Sequence, residues 1–159
     1  MRFFTMDWWL GVQTGSTVDP STEYARHVAS FRPFPDVVAA IDRVPSLHDA
    51  RVRRVEHLVD AVDIVLDAWG ETGGWHPLRL SYRGVEAFTI AADPEKALRG
   101  PGGFGDLGYS EIDVPSPGLF EHRLLFSSGI ELGLRFREFS FSWGALAQGA
   151  AGEESEIDR

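Results

Sequence analysis

Leu119-Phe120-Glu121-His122-Arg123-Leu124-Leu125-Phe126-Ser127-Ser128-Gly129-Ile130-Glu131-Leu132-Gly133-Leu134-Arg135-Phe136 is the stretch that decides the fold. Phe120, His122, Leu124 and Phe126 share one parity, and Ile130, Leu132, Leu134 and Phe136 resume it after Ser127-Ser128-Gly129. Period-two alternation on both sides of a short turn signal predicts a β-hairpin. Facing residues share a side of the sheet, so the pattern also fixes the loop length. A two-residue loop sets Phe126 against Glu131 and mixes apolar with charged residues along the ladder. A three-residue loop instead pairs Phe126 with Ile130, Leu124 with Leu132, His122 with Leu134 and Phe120 with Phe136, and sets Glu121 opposite Arg135 on the other face. Gly129 supplies the left-handed residue that such loops favour. After Arg137-Glu138 the apolar parity switches to Phe139, Phe141 and Trp143, which a bulge accounts for.

Working outward, Val62-Asp63-Ile64-Val65-Leu66-Asp67-Ala68 and Leu78-Arg79-Leu80-Ser81-Tyr82 alternate in the same way, with a glycine-containing loop between them. The run from Leu47 to Trp69 holds no proline or glycine and has Val52, Val55, Val59 and Val62 at helical spacing, but its branched residues favour strands with a break near Leu58 to Ala61. Leu66 is expected opposite Leu80, with Asp67 across from Arg79. Val85 to Ala91 and Tyr109 to Val114 read as further strands. Helix signals cluster in the first 45 residues or so. Thr5 caps a segment from Met6 to Gln13. Asp19-Pro20 with Glu23 opens a helix whose Tyr24, Val28 and Phe31 fall on one face, and Pro35-Asp36 precedes a short stripe of Val37, Ile41 and Val44 that stops at Pro45. The expected architecture is therefore α+β, with short N-terminal helices packed on a predominantly antiparallel β-sheet or a curved, barrel-like sheet. Its core includes Val62, Ile64, Leu66, Leu80, Leu124, Phe126, Leu132, Leu134 and Phe136.

At 159 residues the chain suits one domain, assigned to residues 1–143, and the small and acidic residues of 144–159 read as a disordered, dispensable tail. Glu153, Glu154, Glu156 and Asp158 against Arg159 leave that tail at −3 and the remainder at about −6 of the total −9. This acidic balance argues against a nucleic-acid partner, whose phosphates require a clustered cationic surface. No apolar window approaches the roughly 18 to 20 residues of a membrane span. The absence of cysteine removes disulfides, thiolate nucleophiles and cysteine zinc sites, and no secretory leader is evident, so the cytoplasm is the expected compartment. Fourteen arginines stand against the single lysine Lys96, which reads as a trace of genome composition.

Candidate chemistry is sparse. His48-Asp49 can act as a base or a ligand, but strand neighbours point to opposite faces, and a turn or local cap by Asp49 is the favoured reading. Glu56-His57 and Glu121-His122 would matter if their strands met, although His122 lies in an apolar row and reads as a hydrogen-bonded core histidine. Glu111 and Asp113 share a strand face and form a carboxylate pair, read as a solvated outer face. The glycine-rich Gly100 to Gly105 lacks a phosphate-loop ending, Ser127 and Ser128 are turn residues, and no metal-ligand spacing occurs, so no catalytic residue, metal or cofactor is assigned. Five tryptophans, Trp8, Trp9, Trp69, Trp75 and Trp143, are many for a chain of this size. Trp69 and Trp75 bracket a glycine-containing loop, where they either anchor an interface or fold back over the open end of the sheet.

Met1-Arg2-Phe3-Phe4-Thr5, Leu47-His48-Asp49-Ala50, Phe120-Glu121-His122-Arg123-Leu124-Leu125-Phe126 and Gly129-Ile130-Glu131 resemble segments of small uncharacterised bacterial proteins, some of them similar in turn to immunity proteins of bacterial toxin systems. The resemblance implies a bacterial α+β domain and carries over no activity. The leading expectation is a non-enzymatic binding module, immunity-like in character, whose acidic body meets a protein with a basic surface through Trp69 and Trp75. The alternative is a small-ligand-binding protein or enzyme with a pocket between helices and sheet that uses His48, Asp49 and His122. A homodimer through sheet edges or exposed aromatics is the third possibility.

Overall fold

The computed structural model describes residues 1–15, 17–70, 72–92 and 103–144. Residues 145–159 of the expected tail and 100–102 of the glycine-rich loop therefore lie outside the described residues. Helices α1 (Met6–Gln13), α2 (Ser21–Ala29) and α3 (Asp36–Asp42) come first. Eight strands follow: β1 (Arg51–His57), β2 (Ala61–Trp69), β3 (Trp75–Arg83), β4 (Ala87–Ala92), β5 (Leu107–Ser116), β6 (Leu119–Phe126), β7 (Ile130–Phe136) and β8 (Glu138–Trp143). All neighbouring strands run antiparallel, which gives the expected α+β class. Helices α1 and α3 start where the sequence places their signals, whereas α2 starts one residue later than Asp19 as cap implies, with Pro20 in the capping position. The Thr5 side chain accepts the Trp8 N–H, and the Asp19 carboxylate accepts the Ser21 N–H at 2.9 Å, just before α2.

The strands form two four-stranded sheets, ordered β1-β2-β3-β8 and β4-β7-β6-β5, and no closed barrel forms among the described residues. Their inner faces share one core, which contains all nine residues expected there. Each fully buried Leu or Phe contributes on the order of 1.5–3 kcal/mol by leaving water. The β6–β7 hairpin has the derived register, with Phe120 opposite Phe136, His122 opposite Leu134, Leu124 opposite Leu132 and Glu121 opposite Arg135. Gly129 follows with φ of 80°.

Two expectations need correction. The β2–β3 register is displaced by two residues, so that Leu66 faces Leu78, Ile64 faces Leu80 and Asp67 faces Pro77. A slip of two keeps every side chain on its own face, and the apolar pattern therefore does not distinguish the alternatives. Arg79 consequently bonds Asp63 at 3.2 Å, while Asp67 takes Arg53 at 2.6 Å. The parity switch after Phe136 also has a different cause from the expected bulge. The chain leaves the second sheet at Phe136, its Arg137 N–H bonds the Arg83 carbonyl at 3.1 Å, and β8 enters the first sheet beside β3. The core now lies on the other side of the strand, so odd positions point inward.

The outer faces differ. The N-terminal segment and α1 cover that of the second sheet, where Met6 and Trp9 pack on Leu125 and Phe4 stacks on Tyr109 at 5.2 Å. Gly108 permits this approach, since a Cβ there would lie 2.2 Å from the Trp9 ring. The outer face of the first sheet instead carries ion pairs, Arg53 with Asp67 and both Arg79 and Arg83 with Asp63.

Candidate functional site

His48, Asp49 and His122 do not share a cleft. The His48 Nδ1–H donates to the Gly108 carbonyl at 3.1 Å, which caps an open backbone acceptor on the edge strand β5, and its Nε2 stands 3.6 Å from Asp49 Oδ1 in an exposed pair. Asp49 closes the turn in which the Ala50 N–H bonds the Leu47 carbonyl, with φ of 64°, a left-handed conformation that aspartate tolerates better than most residues. His122 is buried between the sheets, with Nδ1 2.8 Å from the Tyr82 hydroxyl. Desolvation lowers its pKa to about 4, so the ring is neutral at pH 7, and the same burial raises that of Tyr82. A hydrogen-bonded core histidine is thus what the structure contains. His57 lies elsewhere, with its ring 5.2 Å from that of Phe88. Among the described residues no group of three or more histidine and acidic side chains is placed to hold a metal ion.

Glu111 and Asp113 also depart from expectation. Glu111 is 3% exposed, and its carboxylate accepts the N–H groups of Arg2, Phe3 and Phe4 at 2.8, 2.6 and 2.7 Å. It is a buried clasp for the N-terminal segment and not part of a solvated face. Asp113 instead sits 3.3 Å from His27 Nε2. Strand alternation places both carboxylates on one face, but it carries no sign that another chain segment covers that face.

The tryptophans form the most distinctive surface. Trp69 and Trp75 face each other across the ends of β2 and β3, edge to face with ring centroids 5.6 Å apart. They do not fold back into the core: Trp69 is 55% and Trp75 44% exposed. Trp143 at the end of β8 is 38% exposed and meets His76 at 6.2 Å between ring centroids. Gly70 and Gly144 join this His76–Trp143 pair around a hollow of about 290 Å³. Trp69 and Trp75 thus stand on the outer face at one end of the first sheet, and Trp143, opposite Leu78, stands on the inner face at the same end. Sequence reasoning singled out two of them and missed Trp143, whose position beside β3 depends on the change of sheet.

No helix among the described residues is long and apolar enough to cross a membrane. No family model matches the chain, and no curated protein matches it with significance.

Proposed function

We propose that this chain is a non-enzymatic binding module, immunity-like in character, that docks on another protein through the tryptophan end of the first sheet. The observation that carries the reading is the joint exposure of Trp69 and Trp75, packed edge to face on the outer face at that end of the sheet. Exposed rings gathered in one place are poorly placed for stability and well placed as anchors, because they bring large contact area at a low cost in conformational entropy. The separation of His48 and Asp49 from His122 supports binding over a histidine-based catalytic pocket.

The charge acts at longer range. Arginines and carboxylates on the outer face of the first sheet are already paired with each other, so local charge adds little to adhesion there. The total of −9 instead steers a basic partner during approach. Binding to a protein partner should therefore slow in onset as salt rises, while Trp75→Ala weakens it at least tenfold and leaves the melting temperature unchanged. The test is surface binding of the partner, identified by cross-linking, to the wild type and to the variant. Equal binding by both proteins, or small-molecule turnover that depends on His48 or His122, would remove the proposal. A mass that doubles with concentration and reverts in Trp75→Ala would assign the surface to a homodimer instead.

A further inference from the structure

A groove of about 480 Å³ runs between α2, α3 and the free edge of β5, within the roughly 300–1,000 Å³ usual for small-molecule sites. Val28, Phe34, Val38 and Ile112 give it apolar walls. Two opposite charges line the same groove, Arg32 and Asp42, and neither forms an ion pair among the described residues. The Arg32 guanidinium lies over the Phe34 ring, 5.1 Å from its centroid, with its donors left for another acceptor.

The strand edge supplies the third element. Antiparallel pairing directs both main-chain groups of alternate residues away from the neighbouring strand. On β5 the open groups are capped on either side of one residue: Gly108 C=O by His48, and Ile112 N–H by the Tyr24 hydroxyl at 2.8 Å. Ser110 has the parity of Ile112, pairs with Leu124 in the register that runs unbroken from Tyr109 to Asp113 and lines the groove, so its N–H and C=O are turned away from β6 on that side. One exposed N–H and C=O pair between two caps is too short for an added strand and offers a single peptide unit one main-chain hydrogen bond.

We propose that this groove binds a short apolar peptide with free ends, of two or three residues, whose carboxylate meets Arg32, whose ammonium meets Asp42 and whose amide carbonyl accepts the Ser110 N–H. The apolar side chains then lie on the walls from α2 and α3. Both charges of the groove and the Ser110 N–H receive partners of opposite character, which neither a fatty acid nor a plain hydrocarbon would provide. This site is separate from the tryptophan end and does not rest on it.

The test is titration calorimetry of the full chain with the dipeptide Leu-Leu, with nuclear magnetic resonance to locate it. Saturable binding is expected, with the Ser110 amide resonance shifting. Arg32→Gln and Asp42→Asn should each weaken binding at least tenfold, and acetylation and amidation of the dipeptide ends should do the same on the wild-type protein, where folding is not in question. Trp75→Ala should bind Leu-Leu normally, which separates this result from the fate of the docking surface. Absence of saturable binding, equal binding of the capped dipeptide, or shifts confined to the tryptophan end would each overturn the proposal.

Discussion

The Tyr82 hydroxyl and His122 Nδ1 lie 2.8 Å apart in the core, one residue from each sheet, and form a hydrogen bond that joins the two layers. Both side chains are almost wholly removed from solvent, so each satisfies the other's polar group where water does not. The pair also keys the sheets to one relative position, because apolar contacts alone tolerate sliding far better than a directional bond does.

That burial predicts an acid-sensitive fold. With a folded pKa of about 4 against an ordinary 6.5, the unfolded chain binds a proton that the folded one refuses. Stability is then complete above pH 6.5, declines as pH falls from there to about 4, and loses roughly 3 kcal/mol from this group at 1.36 kcal/mol per pH unit. Urea unfolding at pH 7 and pH 4.5 should show most of this loss in the wild type and not in His122→Leu. A wild-type stability that stays flat over that interval would contradict the assignment.

Glu111 holds three backbone N–H groups beneath the N-terminal segment, so Glu111→Ala orphans all three at once. A destabilisation of about 3 kcal/mol is expected, since unpaired buried donors cost on the order of 1–3 kcal/mol each and the loosened segment recovers part of that in water. Hydrogen exchange at the Phe3 and Phe4 amides should accelerate in parallel. Unchanged exchange at both would show that the segment is held by its aromatic contacts alone.

Gly108 is required by the ring it faces. Gly108→Ala places a methyl group 2.2 Å from Trp9 and should cost roughly 1–3 kcal/mol by overpacking. In a Trp9→Leu background the same substitution should be nearly neutral, because the obstruction is gone. Equal costs in the two backgrounds, read from denaturant midpoints, would place the strain elsewhere.

Where local chemistry is sufficient, the sequence is legible to within a residue or two. Thr5 satisfies an N–H at the start of α1 by its own side chain, Asp19 does so for Ser21, and Gly129 meets a turn that needs positive φ; none of these requires knowledge of a distant segment. The β6–β7 register is legible for a related reason, since a short loop allows few pairings and only one of them separates apolar from charged residues. The β2–β3 register is not, because its longer loop admits a slip of two that leaves both faces intact.

The amino-acid sequence by itself determined the α+β class, the three helix starts, the alternation of the strands and the identity of the core, because each follows from periods of two or 3.6 and from capping groups within a few residues. Tertiary structure alone decided that β8 leaves the hairpin's sheet for the other one, that Glu111 is covered by a segment more than a hundred positions away, and that Arg32, Asp42 and Ser110 line one groove. These are contacts between surfaces that become neighbours only after the chain has closed its loops, and no local period records which of two equally apolar faces a strand will meet.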